Sequence, residues 1–196
     1  MSLAVALLAA GASRRMRGGD KLLEPVGTVA VLRHIAEGAV SARVGPVAVT
    51  MRPDSHARRA VLAGLDVTIL EIAQADEGMA ASLRAAARWA AGQGVDGLMI
   101  CPADMPDLDA DDFRALAMAF RAEGGTRPVR AVAADGREGH PVVFPATLLA
   151  QFAELAGDRG AQAILRHHPP VAVPRPGLRA VTDLDTPEEW AAWRQR

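Results

Sequence analysis

The residues with the clearest chemical potential lie in a loop of small and basic side chains that follows the first apolar run of the chain. The loop reads Leu8-Ala-Ala-Gly-Ala-Ser-Arg-Arg-Met-Arg-Gly-Gly-Asp-Lys21. Small residues let a backbone approach a planar base or sugar, hydroxyls and amides donate to phosphate oxygens, and cations neutralise a polyphosphate. The residues suited to these roles are Ala9, Ala10, Gly11, Ser13, Arg15 and Lys21.

This loop matches neither of the two commonest phosphate-binding patterns. The Gly-x-x-x-x-Gly-Lys-Ser/Thr spacing of a P-loop and the Gly-x-Gly-x-x-Gly of a dinucleotide fold are both absent. The composition of the loop therefore allows two interpretations, a phosphate-binding site and an ordinary turn. Of the 22 basic residues 21 are arginine, and Lys21 is the only lysine. This bias is either chance or a need for a compact ammonium at that position.

Two acidic clusters supply candidate metal ligands. Asp104 lies in Cys101-Pro-Ala-Asp-Met-Pro106, directly after the apolar run 97–100, and a carboxylate at a strand end is suited to holding Mg²⁺ over phosphates. The alternative is a helix-capping or turn aspartate. Asp183 and Asp185 precede the last helix, where metal binding and capping are equally open.

Two further glycine-containing loops, 77–83 and 157–161, and one histidine complete the candidate set. Residues 77–83 lead into a helix, whose N-terminal amides favour anions. His140 precedes a proline and either touches a ligand or is structural, and Cys101 is interpreted as a small core residue rather than a reactive thiol. No nucleophile–base pair is evident. One lysine, the loop arginines and two acidic clusters instead favour metal-assisted transfer of a phosphorus group.

Short apolar runs that alternate with helical segments must position these residues. Such alternation predicts βα units and a mostly parallel sheet covered by helices. A turn after Ala134 predicts a hairpin, and hence a mixed sheet, and Thr186-Pro187 predicts the capped start of the last helix. The predicted strands are 3–8, 46–50, 67–72, 97–101, 129–133 and 141–144, and the predicted core-facing helix stripes begin at Leu32, Leu83 and Phe113.

Length and composition limit the class of protein. The 196 residues fit one domain, 1–196, and half of them are hydrophobic. A net charge of −1 gives no general field for nucleic acid or an anionic membrane, so neither is expected as a partner. One cysteine excludes an internal disulfide, and the first apolar run is interpreted as a strand rather than a signal peptide. We expect a cytoplasmic protein.

Seven motifs in order along the chain resemble the molybdenum cofactor nucleotidyltransferases, the MobA-like NTP transferases, and most closely their cytidylyltransferase branch. The motifs are Leu8-Ala-Ala-Gly-x-Ser-x-Arg-Met16, Lys21-Leu-Leu23, Gly78-Met-x-x-Ser-Leu83, Pro102-Ala-Asp-Met-Pro106, Gly139-His-Pro-Val-Val-Phe144, Gly157-Asp-x-Gly-Ala161 and Asp183-Leu-Asp-Thr-Pro187. The resemblance implies a three-layer α/β, Rossmann-like nucleotidyltransferase fold with a mostly parallel, mixed sheet. It also implies transfer of a nucleotidyl group from an NTP to the terminal phosphate of molybdopterin.

The resemblance assigns a role to each candidate residue. Leu8, Ala9, Ala10 and Gly11 would hold the base and ribose. The triphosphate would contact Ser13, Arg15 and Lys21, and the nucleotide would also lie near Gly78, Met79 and Ser82. Asp104 and Asp185 would ligate Mg²⁺, His140 and Asp158 would lie near the pterin, and Lys21, Arg15 and Asp104 would be the catalytic residues.

The choice of base depends on one methyl group. The guanylyl branch typically has Gly-Gly where this chain has Ala10-Gly11, and the added methyl would crowd a purine. We therefore expect CTP as donor and molybdopterin cytosine dinucleotide as product, with a molybdoenzyme as its recipient. The alternatives are a GTP-using enzyme, an enzyme for a sugar or polyol phosphate, and a non-catalytic module that delivers a cofactor.

Overall fold

The computed structural model describes residues 1–158 and 160–196. The strands are β1 (Leu3–Leu8), β2 (Pro25–Val26), β3 (Val29–Ala30), β4 (Val47–Met51), β5 (Thr68–Glu71), β6 (Gly97–Pro102), β7 (Val129–Val132), β8 (Glu138–Pro145) and β9 (Val171–Pro174). The α-helices are α1 (Val31–Ala42), α2 (His56–Val61), α3 (Met79–Gly92), α4 (Ala110–Ala122), α5 (Gln162–His167) and α6 (Pro187–Trp193). Short 3-10 segments include Arg14–Met16, Lys21–Leu23 and Ala146–Glu154.

A seven-stranded sheet forms the middle layer, with the order β5-β4-β1-β6-β8-β7-β9. Strands β5, β4, β1 and β6 are parallel to one another, whereas β8 is antiparallel to both β6 and β7. The predicted mixed, mostly parallel α/β sheet is thereby confirmed. The expected hairpin after Ala134 is the β7–β8 pair, and β2 and β3 form a separate small hairpin that the sequence analysis missed.

Helices cover both faces of the sheet because side chains of a strand alternate between its two faces. Leu3, Val5 and Leu7 of β1 pack with α1, α4 and Trp190 of α6, while Ala4 and Ala6 pack with α3, α5 and the segment Ala146–Glu154. The predicted apolar stripes of α1, α3 and α4 are buried. Thr186 and Glu189 form the predicted capping box of α6, with Pro187 in the first turn.

The largest difference from the predicted strand bounds is in the sheet interior, where β8 is longer and extends from Glu138 to Pro145. β5 is one residue shorter than predicted at each end and is half-exposed, and β9, for which the sequence analysis gave no bounds, is half-exposed too, because each has a neighbour on one side only.

The register in which β1 pairs with β6 places the loops that follow these two strands side by side. Leu8 pairs with Pro102 at the carboxyl end of both strands, and the Ala103 N–H donates to the Leu8 carbonyl over 3.1 Å. In open α/β sheets this edge is where ligands bind. Among the described residues, no helix combines the length and apolar character needed to cross a membrane.

Candidate functional site

A cavity of about 450 Å³ opens at the carboxyl ends of β1 and β6. It is bounded by the loop after β1, the start of α3, the end of β6 and the segment before α6. The sequence-predicted residues that line it are Leu8, Ala10, Gly11, Ser13, Arg15, Lys21, Gly78, Met79, Ser82, Asp104, Asp158 and Asp185. The structure thus brings together twelve candidates from positions 8 to 185 of the chain.

Two candidates do not line this cavity. Ala9 is buried, its N–H donates to the Thr50 carbonyl over 3.0 Å, and its carbonyl accepts from Arg58 Nη1 over 2.6 Å. Because both of its backbone polar groups are used inside the protein, Ala9 supports the loop from beneath. His140 lies in a neighbouring cavity.

The neighbouring cavity has a volume of about 280 Å³ and mostly apolar walls. It shares Leu8, Met79, Pro102 and Asp158 with the first cavity, so the two are contiguous. Burial and the charge of Arg130 lower the pKa of His140 to about 4, and the imidazole is therefore neutral at pH 7. Its Nδ1 is buried without a hydrogen-bond partner among the described residues.

Lys21 is the centre of a charged cluster in the larger cavity. Its Nζ contacts Asp104 Oδ2 and lies 2.6 Å from Asp185 Oδ1, while Arg15 Nη2 lies 2.5 Å from Asp185 Oδ2. Burial acts to lower the pKa of Lys21, but the two carboxylates outweigh it and the pKa lies above its ordinary value. The Lys21 side chain is therefore positively charged at pH 7.

Backbone contacts hold the acidic residues against the sheet edge. The Leu184 N–H donates to the Asp104 carbonyl over 3.3 Å, which places the segment before α6 beside the loop after β6. The Asp185 N–H donates to Glu189 Oε2 over 2.7 Å. Since Thr186 and Glu189 perform the capping, the Asp185 carboxylate faces Lys21 and Arg15.

The carboxylates of this cluster fit a divalent cation. Asp104 Oδ1 is buried and has no hydrogen-bond partner among the described residues. Lys21 Nζ contacts the carboxylates of both Asp104 and Asp185, so the two carboxylates lie close together. Two carboxylates suit Mg²⁺, which usually takes one or two of them and completes its shell with phosphate and water. Asp183 does not line the cavity, and burial and the charge of Asp104 raise its pKa.

Three charged side chains at or beside the cavity were missed by the sequence analysis. Arg52 lines the cavity, donates through Nε to the Ala10 carbonyl over 3.2 Å, and pairs with Asp76. Arg58 is buried and pairs with Asp20, the neighbour of Lys21. The Asp20 carboxylate accepts from the Leu22 N–H, a short-range capping pattern that could have been read from the sequence. The two arginines carried no comparable local signal.

Gly78 is a close-approach point between α3 and the 157–158 loop. Its φ is +98°, and a Cβ at this position would lie 2.4 Å from Asp158 Oδ1 and 2.7 Å from the Gly157 carbonyl carbon. The Ala80 N–H donates to the Gly157 carbonyl over 3.1 Å. Gly78 thus allows Asp158 to reach the junction of the two cavities.

Gly78→Ala is expected to destabilise the protein by about 2–4 kcal/mol, because Gly78 has φ +98° and ψ −168°, a region essentially restricted to glycine, and the added Cβ would also clash. Gly64→Ala is the matched control, since Gly64 has φ +80° and nothing within 4 Å of the added Cβ. Its cost should be about 1–2 kcal/mol from strain alone. Thermal unfolding of both variants measures the difference, and equal losses would contradict the close-approach role.

Comparison with known sequences gave one family match and several relatives. The family described as the MobA-like NTP transferase domain matches residues 5–172. Molybdenum cofactor guanylyltransferase of Cereibacter sphaeroides (strain ATCC 17029 / ATH 2.4.9) is 29% identical over 94% of this chain and 92% of its own. Purine catabolism protein PucB of Bacillus subtilis (strain 168) is 30% identical over 93% of this chain and 91% of its own.

Solved structures share the same architecture. Rv0371c from Mycobacterium tuberculosis H37Rv superposes with a TM-score of 0.83 at 27% identity, covering 100% of both chains. A structure of Rv0371C in complex with manganese gives a TM-score of 0.73 at 26% identity, covering 98% of this chain and 97% of that one.

Proposed function

Because the chain belongs to the MobA-like NTP transferase family, we propose that it transfers a nucleotidyl group from an NTP to the terminal phosphate of molybdopterin, releasing pyrophosphate. The observation that carries this proposal is the Lys21 cluster. One half-buried ammonium contacts Asp104 and Asp185, with Arg15 beside them, in a cavity under a small-residue loop. The acceptor is favoured by the similar guanylyltransferase of Cereibacter sphaeroides, which is named for the molybdenum cofactor.

In the proposed reaction an oxygen of the acceptor phosphate attacks the α-phosphorus of the NTP in line. The bond from the α-phosphorus to the bridging oxygen breaks, and its electron pair leaves with pyrophosphate. Lys21 and Arg15 offset the negative charge that develops on the leaving group. Asp104 and Asp185 would hold Mg²⁺, which when bound supplies neutralisation of phosphate charge and alignment of the substrates.

The remaining candidate residues divide between the two contiguous cavities. Leu8, Ala10 and Gly11 would contact the base and ribose, whereas Ser13, whose hydroxyl donates to Asp20 over 3.1 Å, would offer its backbone to phosphate. Gly78, Met79 and Ser82 would lie beside the nucleotide from the start of α3.

The smaller cavity is our proposed site for the pterin. Its apolar walls suit a flat heterocycle, and the unpartnered Nδ1 of neutral His140 could bond to a ring nitrogen or amine. Asp158 lies where the two cavities meet, as a contact to the acceptor requires.

We propose CTP as the preferred donor because Ala10, which lines the cavity, carries a methyl group where the guanylyl branch typically has glycine. Its methyl group belongs to an apolar cluster with Ile72 and Ala81, and only 6% of the residue is exposed. A methyl held this firmly cannot move aside for a larger purine. GTP is the second candidate, because the similar Cereibacter sphaeroides enzymes are named guanylyltransferases.

Ala10→Gly is expected to raise the ratio of GTP use to CTP use by about tenfold, since one methyl in an apolar pocket typically changes discrimination by 10–200-fold. The measurement is kcat/KM for each nucleotide with the same acceptor. Ala12→Gly is the control, because Ala12 also lines the cavity but lies outside the Ala10 cluster. An unchanged ratio in Ala10→Gly would show that the Ala10 methyl group does not determine which base is preferred.

Pyrophosphate release with Mg²⁺ and molybdopterin, run in parallel with CTP and GTP, tests the function. A product with the mass of the cytosine dinucleotide is expected, and a guanine dinucleotide would support the second candidate. Pyrophosphate release with a sugar or polyol phosphate, but not with molybdopterin, would contradict the proposal that molybdopterin is the acceptor. No release by folded protein with any of these acceptors would overturn nucleotidyl transfer itself.

We also propose that residues 1–196 act as one nucleotidyltransferase domain that passes its product to a molybdoenzyme. The cavity takes walls from both halves of the chain, and the sheet interleaves strands from both halves. A single cooperative unfolding transition is expected in calorimetry.

A further inference from the structure

Arg58 is a buried arginine whose side-chain hydrogen bonds all go to the loop after β1. It comes from α2, and 7% of its side chain is exposed. It lines an adjoining open cavity of about 420 Å³ rather than the 450 Å³ cavity, and its Nε, Nη1 and Nη2 atoms are already bonded to the loop. Burying a guanidinium costs free energy unless its N–H donors are hydrogen-bonded, and those of Arg58 are.

The guanidinium holds three points of the loop at once. Nε lies 2.6 Å from Asp20 Oδ2 and Nη2 lies 2.9 Å from Asp20 Oδ1, which is a two-bond pairing with one carboxylate. Nη2 also donates to Ser13 Oγ over 3.2 Å, and Nη1 donates to the Ala9 carbonyl over 2.6 Å. Paired bonds of this kind fix orientation as well as distance.

The loop needs such a restraint because its backbone is strained. Ser13 has φ 48° and ψ 33°, and Arg17 has φ 50°, both in the left-handed region. For residues other than glycine this conformation costs about 1–2 kcal/mol each. The Ser13 hydroxyl donates to Asp20 Oδ1 over 3.1 Å, so Ser13, Asp20 and Arg58 form a closed set of contacts.

Asp20 connects this set to the catalytic cation. It directly precedes Lys21, and its carboxylate accepts from the Leu22 N–H over 3.0 Å, capping the turn Lys21–Leu23. The position of Lys21 therefore depends on Asp20, and the position of Asp20 depends on Arg58.

We propose that Arg58 is a positioning residue for the NTP phosphates, acting through Asp20 on Ser13 and Lys21. This inference rests on the proposed nucleotidyl transfer. Without Arg58 the loop relaxes from its strained form, and the groups that meet the phosphates leave their places. Misplacement by about 1 Å is enough to cost about 10²-fold in rate.

Arg58→Ala is accordingly expected to lower kcat/KM for the NTP by about 10²-fold with little change in KM for the acceptor. Arg59→Ala is the matched control, because the neighbouring Arg59 forms an exposed pair with Glu71 and should leave the rate unchanged. The double variant Arg58→Ala/Asp20→Ala should be no worse than the poorer single variant, because both act through one contact.

Chemical rescue separates positioning from general structural damage. Millimolar guanidinium should restore part of the activity of Arg58→Ala by filling the vacated site, whereas sodium chloride at equal concentration should not. If Arg58→Ala lacks a cooperative melt, Arg58→Lys replaces it, since it keeps the charge and loses the two-bond pairing. Arg58→Lys should still lose most of the activity.

The single lysine supplies a readout that does not depend on activity. Acetylation of Lys21, followed by peptide mass spectrometry, should be faster in Arg58→Ala than in wild type or Arg59→Ala. If wild type transfers no nucleotide but the labelling differs as expected, the proposed function fails and the positioning role stands. Wild-type labelling and wild-type kcat/KM in Arg58→Ala would overturn the proposal.

Discussion

Asp104→Asn is expected to reduce nucleotidyl transfer by at least about 10²-fold, on the scale of removing one electrostatic contact to a transition state. Asp104 is 6% exposed, contacts Lys21 through Oδ2, and leaves Oδ1 without a partner among the described residues. An amide has the same shape but carries no charge, so it is a far poorer ligand for a hard cation. Its NH₂ group would also face the ammonium of Lys21 or the cation itself.

Two measurements are needed to interpret the loss in Asp104→Asn. Pyrophosphate release gives the rate, and binding of Mn²⁺ in the presence of a non-hydrolysable NTP, followed by electron paramagnetic resonance, gives the affinity for the cation. Both should fall together. Asp111→Asn is the control, because Asp111 is exposed at the start of α4 and pairs only with Arg114 among the described residues. Near-normal turnover in Asp104→Asn would remove this residue from the metal site.

Much of the site could be predicted because it depends on strand ends. Leu8 is the last residue of one apolar strand and Asp104 lies just after another, and parallel neighbours bring their ends to one edge of a sheet. The motif before α6 could be recognised as acidic, but two roles stayed open for Asp185. The structure separates them, because Thr186 and Glu189 perform the capping and leave the carboxylate free for Lys21.

What the sequence analysis missed depends on the direction of individual side chains. Arg58 is one of 21 arginines, and its burial under the loop follows from the packing of α2 against residues distant in sequence. Ala9 and Ala10 are adjacent in an apparently uniform motif. The backbone N–H and carbonyl of Ala9 are hydrogen-bonded to β4 and to Arg58, whereas Ala10 lines the cavity. No periodicity distinguishes two such neighbours before the tertiary contacts are known.

Lys21→Ala is expected to lower nucleotidyl transfer by about 10²–10³-fold, since in the proposed reaction it removes a cation that offsets the charge developing on pyrophosphate. It also leaves Asp104 and Asp185, whose side chains are 8% and 16% exposed, facing one another without the intervening ammonium. Uncompensated buried charge is destabilising, so thermal unfolding without metal should occur at lower temperature than in wild type. Added Mg²⁺ should recover part of that loss, because the two carboxylates then have a cation again.

Lys21→Arg tests why an arginine-rich chain keeps one lysine here. A planar guanidinium has its donors fixed in a fork and is larger than an ammonium, so it cannot sit between the two carboxylates as a point charge. We expect Lys21→Arg to recover thermal stability but little of the rate. Arg17→Ala is the control for loss of a loop cation, because Arg17 is exposed, pairs with Glu188 and does not line the cavity. Full activity in Lys21→Arg would show that only the charge matters and would make the single lysine a matter of chance.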